Sequence, residues 1–414
     1  MCIVSCIMTT YIWYKLNDKE KNVLSCLKQL IGDDSDVYAY LPFEYDHKSL
    51  RISFDGLWTL KVVTKSFSFA ILYNDFKILG GSFGEANSNR MISFLKKLDQ
   101  ESINLYASFN TIGVRIMEGR KVFPHAFSIV PALVQYIENN FLLTSIHGKC
   151  LGLGALLYTL GQYRLAYKDT SQINLTGPEV FKMFFGHSIS YEDKFNALKM
   201  RDIAGIVNEV TQDEGEHINK VLTLLGSKHD FHKEQDLLLS TDEMSRTNEV
   251  LDDLFNSKLR LFSQKKSSVL SFIAYKNDMR VGVLINPIGR GNMIDLSTIE
   301  VYRESLKIFE ALKLPVISFV DTPGADPGVK ATESGLIQSL AALTGEIIAY
   351  PYTKFGVLLD RCYGGASVLS FPPIYGGKKA LALNGAHLGI MGKKIICELL
   401  SKSPRLHKMW ELNS

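Results

Sequence analysis

No stretch of this sequence reaches the ~18 consecutive apolar residues that a bilayer-crossing helix requires, so no membrane span is expected. The opening MCIVSCIMTTYIWY is largely apolar, but no basic residue precedes it, so it reads as a buried segment rather than a secretion signal. The six cysteines (Cys2, Cys6, Cys26, Cys150, Cys362 and Cys397) include no C-x-x-C pair. That argues against a zinc ribbon and a dense disulfide framework, and points to reduced thiols in a cytoplasmic protein. His125, His147, His187 and His387 lack metal-ligand spacing, so no metal is expected. Charge of one sign is also missing. With 46 basic against 43 acidic residues the formal net charge is +3, and no bulk field draws the chain onto nucleic acid. No glycine-rich ATP loop is present, which places any ATP-dependent step on another protein.

What is present is an ordinary globular balance of 46% hydrophobic and 21% charged residues over 414 positions, enough for two domains. Short apolar runs alternate with helical patterns, the signature of an α/β fold. Residues 1–50 read as an N-terminal appendage, 51–227 as a first domain, 228–266 as a polar connector with one or two short helices, and 267–414 as a second domain. In the first domain WTLKVV and FAILYNDFKIL read as strands, Asn87–Leu98 as an amphipathic helix and Phe127–Asn139 as another. In the second, VLSFIAYKNDMRVGVLINP reads as two strands joined at Lys276-Asn277-Asp278. A helix follows over Asp295–Leu312, then the strand LPVISFVD, a helix over Glu333–Ala349 and the strand FGVLLD. The two halves share this order of events, which suggests a duplication.

Four glycine-bearing turns follow predicted strands: Gly80–Gly84, Gly152–Ala155, Asp321–Gly328 and Tyr363–Ala366. Glycine permits positive φ and close approach of a ligand to the main chain. A helix N-terminus adds unpaired N–H groups and partial positive charge, which suits a developing oxyanion. A single such turn is weak, because strand-to-helix turns often carry glycine for packing alone.

The residue order around these turns is more specific. FVDTPGADPGVKATESG is very similar to the DTPG segment of acyl-CoA carboxylase carboxyltransferases, and its ADPGV form is closest to the α subunit of the bacterial acetyl-CoA enzyme. CYGGAS resembles that family's Tyr-Gly-Gly-Ala turn, Gly291-Asn292 with Asp295 its G-x-L-D segment, and LGIMG, ending at Gly392, its Val-Met-Gly turn. In the N-terminal half ILGGSFGE, GVRIMEG and AYKDTSQINLTGPEV are similar to the GGS, GARIQEG and KDTS…TGP segments. The resemblance spans roughly residues 55–400.

The resemblance implies two tandem ClpP/crotonase-like ββα-spiral domains and transfer of a carboxyl group from carboxybiotin, on a separate carrier protein, to a short acyl-CoA such as acetyl- or propionyl-CoA. Biotin itself is then the base, and the protein supplies position and two backbone oxyanion holes. Carried over, Gly365 and Ala366 would hold the ureido oxygen, and Gly152 and Leu153 the thioester oxygen. Tyr363, Gly364, Gly324, Gly328, Gly81, Gly113 and Val368 would shape the binding surfaces, Val368 at the position that tunes acyl-chain choice. The implied partners are a biotin carboxyl carrier protein and biotin carboxylase. The implied assembly is a homo-oligomer, a dimer or dimer of trimers, with each site shared between the N-domain of one subunit and the C-domain of another. Ala197-Leu198-Lys199-Met200 looks like a biotinylation tetrapeptide but reads as helix, so the biotin is expected elsewhere.

Two departures stand out. Leu153 and Ile112 replace family glycines, and both side chains are expected to crowd the acyl-CoA side. They motivate two further readings: a biotin-independent decarboxylase of a malonyl-CoA or malonyl-ACP thioester, and a non-catalytic carboxylase-like subunit. Arg115 and Glu118 are expected to fix their loop by ion pairing.

Overall fold

Runs rich in β-branched and aromatic residues form the sheets, and helices with i, i+3, i+4 apolar spacing cover them. The computed structural model describes residues 11–18, 21, 27–32, 35–42, 55–226, 241–265, 267–277, 279–287 and 293–401. The chain divides into two compact units, Met1–His229 and Asp230–Ser414.

Among the described residues the first unit holds a nine-stranded sheet. Its strands are β1 (Tyr11–Lys15), β2 (Asp36–Pro42), β3 (Leu57–Val63), β4 (Ser68–Asn74), β5 (Leu105–Thr111), β6 (Leu142–Leu151), β7 (Tyr163–Tyr167), β8 (Gln172–Asn174) and β9 (Glu209–Thr211). Strands β1 to β4 are antiparallel neighbours, and β4, β5, β6, β7 and β9 run parallel. Strands β1 and β2 fall within the segment read as an appendage, yet they extend this sheet. Alternation along β4 puts Ala70 and Leu72 in the main core, while Phe69 and Ile71 are buried on the opposite parity.

The second unit holds a seven-stranded sheet: β10 (Ser257–Leu261), β11 (Leu270–Lys276), β12 (Met279–Ile285), β13 (Val316–Thr322), β14 (Lys354–Tyr363), β15 (Lys379–Ala382) and β16 (His387–Gly389). Strands β10, β11 and β12 are antiparallel, and β12, β13, β14 and β15 parallel. Strand β10 lies inside the segment read as a connector. The described part of that segment also contains a helix, Thr241–Leu254, whose Leu251 packs in the core with Phe272, Val283 and Phe319.

The two units repeat one plan down to single hydrogen bonds. Helix Glu85–Glu101 ends at left-handed Ser102, and helix Leu296–Ala311 is followed by left-handed Lys313 (φ 53° and 57°). The next amide turns back in each: Ile103 N–H donates to the Leu98 carbonyl (3.1 Å) and Leu314 N–H to that of Phe309 (2.8 Å). The Tyr136 hydroxyl donates to the Ile103 carbonyl and the Tyr350 hydroxyl to the Leu314 carbonyl, each at 2.6 Å. Such correspondence follows from two copies of one supersecondary unit rather than from generic packing.

Two expected helices start later than expected, each preceded by a separate short helix. Phe127–Asn139 is observed as Ile129–Ile137, with Val122–Phe127 ahead of it, because Pro131 lacks an N–H and its ring collides with the carbonyl four residues back, that of Phe127. Glu333–Ala349 is observed as Leu336–Ala349, separated from the preceding helix Val329–Glu333 by Gly335, which is left-handed at φ 87°.

Candidate functional site

At one point in each sheet the central strands fall out of step. Phe109 pairs with Ile146 but Thr111 with Cys150, and Val320 pairs with Leu358 but Thr322 with Cys362. The extra residues bulge β6 and β14 and redirect their ends. Beyond the bulge, Lys149–Leu151 leave β7 and pair with β8, while Arg361–Tyr363 leave β15 and pair with β16. Both redirected strands then stop at a glycine, Gly152 (φ 58°) and Gly364 (φ 60°). At Gly152 ψ is −125°, a combination open essentially to glycine.

Each glycine hands over to a helix. Leu153 is the first residue of helix Leu153–Thr159, so its amide has no acceptor within it, and it donates to none among the described residues. Gly364–Ser370 is a 3₁₀ turn whose opening amides, Gly364, Gly365 and Ala366, are in the same position. Gly364 and Gly365 are exposed and Ala366 is buried. The arrangement offers main-chain N–H donors to an oxygen that gains negative charge.

The Gly152 amide differs from its expected role. It donates to the Asn174 carbonyl (3.1 Å), so Gly152 acts as the conformational pivot and Leu153 carries the unengaged donor. The expected crowding by Leu153 does not occur either. Its side chain is only 5% exposed and packs in the main core, which is possible because the unusual torsion sits on Gly152. Ile112 is half exposed and lies against Gly80, where an added methyl would come within 2.9 Å of its Cδ1.

The remaining predicted residues form the supports of the two turns. Gly113 packs on Gly152: a methyl added at Gly152 would lie 3.6 Å from the Gly113 Cα. Gly81 backs onto the Asn110 carbonyl. Gly324 lies beside the Tyr363 carbonyl, and the Tyr363 ring covers Gly389 and Gly392. The two supports are again duplicates. Gly113 N–H donates to Thr111 Oγ1 (3.1 Å) and Gly324 N–H to Thr322 Oγ1 (3.2 Å). The Gly113 carbonyl accepts from Phe83 N–H and the Gly324 carbonyl from Ile294 N–H, both at 2.9 Å. Gly328 caps Val329–Glu333, its N–H donating to Asp326 Oδ1 (2.8 Å). Val368 is 2% exposed, beneath the turn rather than on its surface. Gly291 and Asn292 lie outside the described residues.

Arg115 makes the ion pair with Glu118 (Nη1 to Oε1, 2.9 Å) and also donates to the Asp55 and Ser82 carbonyls, tying the Gly80–Gly84 turn to the sheet. Cys150 and Cys362 sit two residues before the pivots. Burial pushes the Cys362 thiol up to about 12 and that of Cys150 higher still, so both are protonated, packing groups. A cavity of about 260 Å³ opens beside Leu151, lined by Lys149, Gln172, Pro178, Ser190, Tyr191 and Glu192. Lys199 lies in helix Ala197–Asp202, its N–H bonded to the capping Asn196 side chain, which is not a hairpin tip. No group of three or more His, Cys, Asp or Glu suited to a metal ion occurs among the described residues. None of their helices is long and apolar enough to cross a membrane.

Comparison with known proteins agrees with this architecture. The carboxyl transferase domain family matches residues 67–259 and 269–409. Methylmalonyl-CoA decarboxylase subunit alpha of Veillonella parvula is 21% identical over 350 residues, which cover 77% of this chain and 67% of that protein. Propionyl-CoA carboxylase beta chain of Saccharopolyspora erythraea is 23% identical over 370 residues, covering 80% and 66%. The chain thus spans about two thirds of the length of these relatives. Among solved structures, the transcarboxylase 12S hexamer with methylmalonyl-coenzyme A and methylmalonic acid bound superposes with a TM-score of 0.70 at 20% identity, covering 82% of this chain and 70% of that one. The likeness establishes two tandem crotonase-like domains.

Proposed function

The chain belongs to the carboxyl transferase domain family, and from that premise we propose that it moves a carboxyl group from carboxybiotin, held on a separate carrier protein, to a short acyl-CoA such as acetyl- or propionyl-CoA. The observation that carries this reading is the duplicated strand end: two glycine pivots at matching φ, each followed by main-chain amides without an internal acceptor.

The Gly364–Ala366 turn suits the ureido oxygen, because two of its residues are exposed and its amides are unengaged. Biotin supplies the carboxyl group and the base. The chain's own part is electrostatic and positional. Gly365 and Ala366 N–H groups meet the ureido oxygen, and the Leu153 N–H meets the thioester oxygen as negative charge develops there. We place the acyl group near the cavity beside Leu151. Loss of one such donor costs about 3–4 kcal/mol of barrier.

Biotin carboxylase and a biotin carboxyl carrier protein are the partners this chemistry requires. A homo-oligomer is supported by exposed apolar side chains on helix Pro178–Phe185, where Met183 is 84% and Phe184 80% exposed. The free cysteines Cys150, Cys362 and Cys397 fit a reducing cytoplasm.

Incubation of the chain with biotin carboxylase, biotinylated carrier, ATP and an acyl-CoA should give a carboxylated acyl-CoA. No product across the short acyl-CoAs would remove the proposal. The relatives named methylmalonyl-CoA decarboxylase favour a second reading, loss of CO₂ from a malonyl-type thioester. Release of CO₂ from such a thioester without any biotin protein would decide for it.

A further inference from the structure

A strand bulge leaves one amide without its ladder partner, and a side chain on the facing strand can take that place. In the first unit Lys149 N–H, inside the bulge, donates to the side-chain oxygen of Asn110 on the facing strand (3.0 Å). The equivalent residue in the second unit is Asp321. Its Oδ1 accepts from Arg361 N–H (3.3 Å) and Arg361 Nε (3.0 Å), and its Oδ2 from Arg361 Nη2 (3.3 Å). Asp321 is 4% exposed, and its own N–H donates to Asn286 Oδ1 (3.2 Å), so its backbone is held from the other side. Arg361 precedes Gly365 by four residues, with Tyr363 and the Gly364 pivot between them.

We propose that Asp321 is a positioning residue: its carboxylate oxygen holds the β14 bulge at Arg361 and thereby aims the Gly364–Ala366 amides. The inference rests on the carboxyltransfer reading of that turn. The internal duplicate says which property matters. Asn110 does the same task without charge, so the acceptor oxygen sets the bulge, while the Arg361 guanidinium serves to neutralise a buried carboxylate close to a site that stabilises negative charge.

The test compares D321A and D321N in the reconstituted reaction with carrier, biotin carboxylase, ATP and acyl-CoA. D321A should lower kcat at least about tenfold with the KM for acyl-CoA unchanged, because that substrate is placed on the first unit. D321N, which keeps the oxygen, should restore kcat to within about threefold of the parent. Asp321→Ser, too short to reach Arg361 N–H, replaces D321A should the alanine variant not fold. Unchanged kcat in the truncated variant, or an equal loss in D321N, would overturn the proposal. A parent chain that transfers no carboxyl group would instead defeat the functional reading. The bulge is then read by deuterium exchange over Tyr363–Ala366, which should quicken in D321A and not in D321N; equal exchange in all three would overturn it.

Discussion

Gly364 holds φ at +60°, where a side chain costs about 1–2 kcal/mol, and a methyl there would lie 3.3 Å from the Ile390 carbonyl. Gly364→Ala should therefore rotate the following amides away from their aim. A fall in kcat of about 10²-fold is expected, with a stability loss of about 1–3 kcal/mol, read by steady-state kinetics and melting on the same preparation. Leu153 and Ile112 make a second contrast at this scale. Leu153→Ala should cost about 2–5 kcal/mol of stability, since it empties core volume, yet leave the KM for acyl-CoA unchanged. Ile112→Gly should do the reverse, lowering that KM at little cost in stability, because its side chain is half exposed over Gly80. The Leu153 result corrects what the residue types suggested. A leucine in place of a family glycine reads as an obstruction, but side-chain direction depends on the torsion of the preceding residue, which the residue names do not carry.

At the scale of elements, helix Glu214–Leu225 closes the polar side of the first sheet. His217 Nε2 meets the Tyr106 hydroxyl (3.0 Å) and its Nδ1 the Thr211 hydroxyl (3.0 Å). The chain continues from Tyr106 through Ser145 and Ser108 to His147. Burial pushes His217 down to about 3 and His147 to about 4, so both are neutral when folded. The unfolded chain takes up protons below about pH 6.5, so stability is full above that pH and is lost as pH falls toward 4 and then 3. Melting temperature should drop between pH 7 and pH 5, and His217→Gln should flatten that drop. A curve as steep in the variant would mean that other groups set it. Beside this chain Lys220 pairs with Glu209 (2.9 Å), both nearly inaccessible, while Tyr163 donates to the other Glu209 oxygen (2.6 Å). Lys220→Met strands a buried carboxylate and should cost about 3–5 kcal/mol in denaturant unfolding. The strands and long helices were legible because their apolar periods are long. His217, Lys220 and Glu209 were not, because a polar residue at a buried position looks like any surface residue until its partner on another element is known.

For the whole molecule, the order of elements in the two halves already suggested a duplication, and the matched bonds of Tyr136 with Tyr350 and of Gly113 with Gly324 give it atomic form. Strands β1, β2 and β10 were not read from the sequence; β1 and β10, at five residues each, carry too few periods to register. The proposed carboxyl transfer assigns one amide turn of the duplicated chain to each reactant. If each active site joins the first unit of one copy to the second unit of another, two different defects complement each other. A variant disabled at Gly152 and one disabled at Gly364 would each be inactive alone. Refolded together in equal amounts as a dimer, half of the molecules would be mixed, and each mixed dimer would keep one intact site of its two. Recovery of about a quarter of the parent activity is then expected, measured as carboxylated acyl-CoA formed per protomer. No recovery in dimers verified as mixed by mass spectrometry would mean that both turns of a working site come from the same copy.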